Sequence, residues 1–253
     1  MRRKALQLLV IGCLVALAGC SGALSGGDGA QTLGDVTYPA GVSDDGTNVT
    51  ALADAHESQL QNESLSLAVD STVNSPAGNQ TVSLDAAVSA DRDRIRANGS
   101  AMGQQVSVYV TADQRFTRIS TGDAEPRYQV AERTPDSMQL IPESYTGRTY
   151  IAQFAGSGNF TPSGVRTVDG TTLIVLEADG SNATESQQVN ITDYNATMLV
   201  DQQGVVHSVS VDISATRQGQ QAQTRFSMNV SDVGETTVTE PSWLNEARNS
   251  SAA

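Results

Sequence analysis

Few side chains in this sequence have the chemistry of a catalytic or metal site. The histidines are His56 and His207, and the cysteines are Cys13 and Cys20. The sequence contains no Gly-x-Ser-x-Gly nucleophile motif, no phosphate-binding glycine loop and no His-Glu-x-x-His zinc motif. We therefore predict a protein that is not an enzyme and that has no catalytic residue, no metal site and no cofactor.

Cys20 is the cysteine whose surroundings favour a covalent modification. It ends the run Leu17-Ala18-Gly19-Cys20, which is similar to a bacterial-type lipobox. In that pattern the cysteine sulfur receives a lipid, and the cysteine becomes the first residue of the mature chain. A cationic start, Met1-Arg2-Arg3-Lys4, and an apolar run over residues 5–18 precede it, and this run is too short to span a bilayer core. We predict that residues 1–19 are a signal peptide and that Cys20 anchors the protein to the extracellular face of the cell membrane.

The N-terminal pattern leaves two alternatives open. An ordinary signal peptide with an incidental cysteine would have similar features. The pair Arg2-Arg3 also resembles a twin-arginine export signal, so the twin-arginine route and the general route both remain open.

The signal predicts how the rest of the chain is divided. Cys13 is removed with it, so the mature chain has no disulfide and must rely on its core for stability. Residues 20–37 begin with glycine and serine and are predicted to be a flexible, lipid-anchored linker. Residues 38–248 are long enough for a single domain, and residues 249–253 are predicted to be a disordered tail.

The charge of the chain is strongly acidic. There are 28 acidic and 15 basic residues, which gives a net charge of −13, and Lys4 is the only lysine. Removing residues 1–19 takes away three positive charges, so the mature chain carries about −16. An acidic surface with almost no lysine is typical of proteins adapted to saturated salt, where charge repulsion is screened. This charge also excludes a nucleic-acid partner.

Acceptor sites for N-glycosylation are unusually frequent. Ten asparagines stand in the pattern Asn-x-Ser/Thr, whereas about two or three would be expected by chance from the composition. We predict surface N-glycosylation at one or more of them. They are Asn48, Asn62, Asn79, Asn98, Asn159, Asn182, Asn190, Asn195, Asn229 and Asn249.

The first part of the domain predicts a helix followed by a sheet. Residues 48–62 have helical spacing, with Leu52, Ala55, Gln59 and Leu60 on one side and Asn48 or Thr50 as the N-cap. The period then changes to two. Strands are predicted from Leu65 onward and at residues 82–88, 92–97, 105–111, 115–120 and 127–133.

The second part repeats this pattern after an interruption. Pro135 and Pro142 break the strand pattern, and Tyr150, Ile151 and Phe154 mark a short helix. Strands are predicted at residues 160–168, 173–176, 196–200, 205–215 and 225–230, with a tight turn at Asp169-Gly170 and a polar loop at 180–193. A short closing helix is predicted at residues 241–247.

The fold class that follows is α+β. It is a strongly curved antiparallel sheet, an unclosed half-barrel, covered by two or three helices. Several strands place aliphatic side chains on one face of the sheet, that face needs cover, and the helices are the available cover. The side chains expected to line an apolar cavity there are Val82, Leu84, Val106, Val108, Val110, His207, Val209 and Val211.

The histidines, the charged cluster and the tryptophan have structural interpretations. His207 alternates with Val205 and Val209, so it is expected on their face, bonded to a neighbouring backbone group or making a polar contact at the cavity edge. His56 is expected to pack in the first helix. Residues 91–96 (Asp-Arg-Asp-Arg-Ile-Arg) predict a solvated ladder of ion pairs, and Trp243 predicts a structural anchor.

Four runs of the sequence carry a family resemblance. They are Tyr38-Pro39-Ala40-Gly41-Val42-Ser43, Leu52-Ala53-Asp54-Ala55-His56, Asp201-Gln202-Gln203-Gly204-Val205 and Pro241-Ser242-Trp243-Leu244. Together they resemble a family of haloarchaeal membrane lipoproteins of unknown function. In topology the domain is also similar to the periplasmic, LolA-like lipoprotein carriers and to mycobacterial lipid-binding lipoproteins such as LppX. Those proteins hold acyl chains beneath helices in the concave face of a half-barrel.

Two functions remain open from the sequence. The first is a non-catalytic surface lipoprotein with a packed sheet, which interacts with an unknown protein partner or helps to maintain the envelope. The second is a carrier or binder of an apolar or lipid ligand in the concave face, as the topological resemblance implies. The membrane, reached through the lipid on Cys20, is a predicted partner in both.

Overall fold

The computed structural model describes residues 31–133, 145–180, 190–217 and 219–250. Within these ranges the helices are a 3₁₀ turn at Leu33–Asp35, α1 at Val49–Leu60, α2 at Arg148–Tyr150 and α3 at Leu244–Ser250. A π-helical turn, Ile151–Ala155, continues α2. Pro135 and Pro142 lie outside the described residues.

One antiparallel sheet forms most of the domain. A short pair, β1 (Val42–Ser43) and β2 (Gly46–Thr47), precedes it. The strands of the sheet are β3 (Leu65–Ser75), β4 (Gly78–Val88), β5 (Ile95–Ala101), β6 (Gln104–Val110), β7 (Gln114–Thr121), β8 (Arg127–Glu132), β9 (Thr161–Val168), β10 (Thr171–Asp179), β11 (Asn190–Asp201), β12 (Val206–Arg217) and β13 (Gln220–Ser231). Their order is β8-β7-β6-β5-β4-β3-β13-β12-β11-β10-β9.

This order confirms the predicted fold class. The eleven strands make a curved sheet whose edge strands, β8 and β9, do not pair with each other, so the sheet is unclosed. The chain between β8 and β9 therefore has to pass from one edge of the sheet to the other. Its described part, which includes α2 and the π-helical turn, lies against α1 and the sheet.

Alternating side chains give the sheet two different faces. We call the face that α1 covers the inner face and the opposite one the outer face. Leu67, Ala86, Ala97 and Val108 follow one another across β3, β4, β5 and β6 and are all buried on the inner face. The tight turn predicted at Asp169-Gly170 is confirmed, since both residues have positive φ between β9 and β10.

Helix α1 forms where the sequence predicts it, but its buried side differs in part. The Asn48 side chain accepts a hydrogen bond from the Ala51 amide at 3.1 Å and so caps the helix. Leu52 and Leu60 are buried as expected, whereas Gln59 is exposed and Ala55 is only half-buried. The remaining buried positions of α1 are Val49, Ala53 and His56, so the apolar stripe is rotated from the predicted one.

Helix α3 lies on the outer face, whereas the sequence predicted it as cover for the cavity face. Leu244 and Ala247 form a separate buried cluster with Tyr109 and Phe116, which point to the outer face. Trp243 borders this cluster, and its ring centroid lies 6.3 Å from that of Tyr128. Tyr109 and Phe116 supply an apolar patch on the outer face, and α3 covers it.

The second half of the sheet extends further than the sequence indicated. Strand β11 already begins at Asn190, so the predicted polar loop at 180–193 is wrong for its last four residues. Residues 181–189 of that loop lie outside the described residues. Strands β12 and β13 pair over ten positions, and their polar far ends explain why alternation alone predicted shorter strands.

Candidate functional site

The inner face is closely packed beneath α1 and the π-helical turn. Leu52, Leu60 and Ile151 are fully buried from the helical side, and Leu67 and Met228 from the sheet side. They belong to one continuous cluster of buried side chains that runs across the sheet from β6 to β10. This part of the inner face is therefore a filled core.

We call the described chain between β8 and β9, residues 145–160, the crossing segment. Gly147 brings its backbone into direct contact with the sheet. Its φ is +95°, and a Cβ at this position would lie 2.6 Å from the sulfur of Met228. Only glycine fits there without displacing its neighbours. Further along, the Phe154 ring stacks on that of Phe226 with centroids 3.8 Å apart, and the Tyr194 hydroxyl donates to the Phe154 carbonyl.

His56 holds three parts of the chain together. It is fully buried, its Nε2 lies 2.7 Å from the Thr146 carbonyl oxygen, and its Nδ1 accepts from the Val206 amide at 3.0 Å. An accepting Nδ1 requires the neutral ring, with Nε2 donating. Burial lowers the pKa of His56 to about 4, although its bond to Thr146 acts in the opposite direction. The predicted packing role of His56 is confirmed.

Two further contacts join α1 to the same segment. Arg148 donates twice to the Asp54 carboxylate, at 3.1 Å from Nε and at 2.6 Å from an Nη atom. The Thr146 hydroxyl donates to the Glu57 carboxylate. Together with the bond between His56 and Thr146, these contacts fix the segment from Thr146 to Arg148 against α1.

Beyond this filled core the inner face becomes open. We call Val82, Leu84 and Val106 the apolar strip; in the register they lie on the inner face of β4 and β6. Leu84 and Val106 are half-buried, and Val82 is 47% exposed. Gly99 stands between Leu84 and Val106 on β5, so the floor there has no side chain. The strip is thus an apolar surface that is exposed at Val82 and packs against the core at Leu84 and Val106.

The strip leads towards the stacked aromatic pair. Val82 lies opposite Ser71, and Ser71 lies opposite Phe226 on β13. Phe154, which covers Phe226, is itself only half-buried. The strip therefore extends from the exposed end of β4 to the border of the filled core.

The other side chains predicted to line a cavity divide into two groups. Val108, Val110, Val209 and Val211 are at most 6% exposed and belong to the filled core. His207 does not share their face. Val206 pairs with Val200 and Val209 with Met198, so His207 and Ser208 together oppose Leu199. This bulge breaks the alternation on which the prediction depended.

His207 bonds to a carboxylate instead of a backbone group. Its Nε2 lies 3.0 Å from Oδ2 of Asp201, whose Oδ1 accepts from the amides of Gln203, Gly204 and Val205. Burial would raise the pKa of Asp201, but the bonds from His207 and these amides outweigh it, and the pKa lies below its usual value. This arrangement holds the turn between β11 and β12, and it borders a groove of about 780 Å³.

The predicted ion-pair ladder at residues 91–96 is replaced by a cap. Arg92 has a φ of +60°, and its guanidinium donates to the carbonyl oxygens of Leu60 and Glu63 at the end of α1. It thereby supplies donors at the C-terminal end of α1, where the last turn of a helix has carbonyls without intrahelical partners. Asp93 does form an ion pair, but with Arg133, at 3.6 Å.

The predicted glycosylation sites are accessible where the structure describes them. Nine of the ten asparagines are exposed, and Asn182 lies outside the described residues.

In the described part of the chain no helix is long and apolar enough to cross a membrane. The same part contains no group of three or more His, Cys, Asp or Glu side chains that could hold a metal ion. Cys20 lies outside it.

The sequence reasoning missed three features of this face. Gly99 and Phe226 drew no attention, although a glycine between two alternating apolar strands is a signal for an open floor. Arg115 was read as an ordinary strand residue. Its alternation with Thr117 and Ile119 places it on the inner face, and this signal was present in the sequence.

Comparison with known proteins gives a family. A model described as a family of unknown function, DUF7537, matches residues 4–247. No curated protein matches the chain in sequence.

Several solved structures have a similar fold. LprF from Mycobacterium bovis is 11% identical with a TM-score of 0.37, over 76% of this chain and 96% of that one. The Mycobacterium tuberculosis lipoprotein LppX is 16% identical with a TM-score of 0.37, over 76% and 98%. A LolA superfamily protein from Nitrosomonas europaea is 11% identical with a TM-score of 0.26, over 76% and 94%.

Proposed function

The chain belongs to the DUF7537 family of unknown function, and we propose that it is a non-catalytic, lipid-anchored protein of the extracellular membrane face that binds an apolar chain on the inner face of its sheet. Cys20 carries the anchor in this proposal. The ligand lies in the apolar strip defined by Val82, Leu84 and Val106, and no chemical step takes place on it.

The gradient of exposure along the inner face carries the proposal. Within β4, Val88 is fully buried and Ala86 is 5% exposed, whereas Val82 at the far end is 47% exposed. Val82 is one of only three large hydrophobic side chains that are exposed among the described residues. Covering it with an acyl chain would remove apolar surface from water, at about 25 cal/mol for each Å².

The shape of the strip also favours a long, narrow ligand. Leu84 and Val106 stand on either side of Gly99, so their backbones lie two strand spacings, about 10 Å, apart and Gly99 adds no side chain between them. An extended hydrocarbon chain is narrow enough to lie along such a row, whereas a folded protein segment would need a wider surface. The deeper inner face offers no comparable space, because its side chains fill it.

The alternative function keeps a specific observation in its favour. The continuous core beneath α1 is what a packed surface protein would have, and such a protein would bind a protein partner or serve the envelope without a ligand. The two functions differ in whether an apolar chain binds to the strip, and this can be measured directly.

Two exposed valines provide a matched test. Val82→Asp places a charge in the strip, and Val168→Asp places one on the outer side of β9, where the valine is 40% exposed. We expect a fluorescent fatty acid to bind the unmodified protein and Val168→Asp with equal affinity in high salt. Val82→Asp should weaken binding at least tenfold, because a carboxylate in an apolar contact must be desolvated. Equal binding by both variants, or no binding by the unmodified protein, would refute the proposal.

A further inference from the structure

The turn between β5 and β6 holds a large apolar side chain in an unfavourable backbone conformation. Met102 and Gly103 are its two central residues, and their φ angles are +52° and +76°. Such a two-residue turn favours Asn-Gly or Asp-Gly, because side chains larger than these rarely adopt positive φ. The Met102 side chain is also 82% exposed, so packing does not offset the strain. The turn is therefore less stable with methionine than it would be with asparagine.

The other residues with positive φ, glycine apart, have structural explanations. Among the described residues, Arg92 uses this conformation to donate to the end of α1. Asp169 and Asp232 lie in turns, and aspartate is one of the residue types that accept this conformation. For Met102 the described contacts give no such reason. Strained residues that the fold itself does not need are found most often at functional sites.

Met102 stands beside the exposed end of the apolar strip. Val82 pairs with Ala101, the residue before Met102. The turn between β3 and β4 lies next to it in the sheet, and its central residues are exposed as well. We call the two turns, residues 75–78 and 101–104, the lip. The lip and the strip beside it thus hold two of the three large hydrophobic side chains that are exposed among the described residues.

The lip also lacks charge, although the chain is strongly acidic. No charged residue occurs at 71–84 or at 97–112, whereas at the chain's average of 17% about five of these thirty residues would be charged. The next turn at the same end of the sheet, between β7 and β8, carries Asp123 and Glu125. Moving a charged side chain out of water costs much more than moving an uncharged one. The lip is therefore the part of this end that can enter an apolar phase.

The partner that fits the lip best is a lipid surface. A stable protein complex buries about 800 Å² on each partner, and the few small side chains of the lip do not provide that area. A membrane contact needs far less, because the lipid proposed on Cys20 already holds the domain close to the bilayer. A single lipid chain gives only marginal attachment, so a second weak contact strengthens it.

We propose that the lip, with Met102 at its centre, inserts into the surface of the membrane in which the lipid of Cys20 is anchored. This contact goes beyond the proposed binding of an apolar chain, and it rests on the proposed function only for the lipid on Cys20. It turns the exposed end of the strip towards the bilayer, so that an apolar chain passes between the two without crossing water. Asn79, an acceptor site beside the lip, lies on the outer face of β4, on the side away from Val82.

A fluorophore at the lip tests this contact on the full mature protein. Once Cys20 carries its lipid, the mature chain has no other cysteine, so Met102→Cys provides a single labelling site. The lipidated protein is reconstituted in high salt into phosphatidylcholine vesicles whose acyl chains carry a nitroxide quencher. Ala112→Cys is the control, because Ala112 is exposed in the turn at the opposite end of β6.

We expect the label at position 102 to be quenched severalfold more strongly than the label at position 112. Equal quenching would overturn the inference and leave the proposed function standing. If quenching is equal in these vesicles and the label at position 102 is shielded only in membranes that contain the host's proteins, the partner is a protein and the inference is wrong. A thiol that still reacts at Cys20 would show that the anchor is missing, and both proposals would then be wrong.

Met102→Asn separates membrane contact from folding. Asparagine adopts positive φ more readily than methionine, so the midpoint of thermal unfolding should rise. A label at Ala77→Cys, on the other turn of the lip, should be quenched severalfold less in this variant, and the affinity for a fatty acid in solution should not change. A lower midpoint would give Met102 a role in the fold, and unchanged quenching would show that it does not contact lipid. Either result overturns the inference.

Discussion

The Nδ1 atom of His56 accepts a hydrogen bond from the backbone amide of Val206 across 3.0 Å. The bond joins α1 to the first residue of β12, and the same ring reaches Thr146 on its other side. A single neutral imidazole thus connects the first helix, the crossing segment and the second half of the sheet. Protonation would turn Nδ1 into a donor that faces another donor.

We expect stability to fall on acidification because of this residue. The pKa of His56 is about 4 in the folded chain, against 6.5 for an ordinary histidine, so the unfolded chain binds more protons between these values. Stability should be full above about pH 6.5 and should fall as the pH is lowered towards 4, by up to about 3 kcal/mol. Urea unfolding at pH 7 and at pH 5 in high salt measures this.

Variants of the two histidines show which residue causes the loss of stability in acid. His56→Gln should be less stable at neutral pH, and its free energy of unfolding should change much less between pH 7 and 5. His207→Gln should keep the pH dependence of the unmodified protein. Asp201 acts in a lower range, since its pKa is depressed and its contribution is lost only below about pH 4. An unchanged slope in His56→Gln would show that other groups cause the acid sensitivity.

Gly147→Ala should destabilise the protein strongly. The new methyl group would meet the Met228 sulfur at 2.6 Å, and the backbone has a φ of +95°. Gly170→Ala is the matched control, because its φ is +82° and no atom lies within 4 Å of the new Cβ. We expect Gly147→Ala to cost at least about 2 kcal/mol more than Gly170→Ala in urea unfolding. Equal costs would mean that the crossing segment does not press on the sheet.

Asp201→Ala should destabilise the turn between β11 and β12. The substitution leaves three backbone amides without their acceptor and frees His207, at a cost of about 2–4 kcal/mol. Asp212→Ala removes an exposed pair with Arg225 and should change the free energy of unfolding by less than about 0.5 kcal/mol. Similar losses in both variants would contradict the role given to Asp201.

Cys20→Ser should release the protein from the membrane fraction of its native host. The lipid would have no attachment site, so the N-terminal end of the linker would no longer be held at the membrane. Cys13→Ser should behave like the unmodified protein, because Cys13 is predicted to be removed with the signal. Fractionation after a salt wash, with the mass of the mature N-terminus, measures both. Retention of Cys20→Ser in the membrane would disprove the anchor.

The sequence predicted the strands well because one physical rule governs them. Leu65, Leu67 and Val69 are all buried on one face and alternate with more exposed residues on the other, and this period of two is visible in a short window. The fold class followed from it, and so did the shared face of Val108, Val110, Val209 and Val211, although these valines were expected to line a cavity and fill the core instead. The same rule failed at His207, where one extra residue in a bulge changes the side on which the next side chain lies.

Contacts between distant parts of the chain were not predictable in this way. The face on which α3 packs depends on Tyr109 and Phe116, which are more than a hundred residues away from it. The partners of His56 and the exposed end of the apolar strip depend likewise on how the crossing segment lies on the sheet. A local pattern contains no information on such distances.

The central claim is that an apolar chain occupies the strip in the native protein. Native mass spectrometry of protein purified from its host without detergent tests it most directly. We predict an added mass that is lost on organic extraction and is absent from Val82→Asp but present in Val168→Asp. A bare mass in all three proteins, together with no uptake of a fluorescent fatty acid in high salt, would contradict the claim and leave a surface protein with a packed sheet.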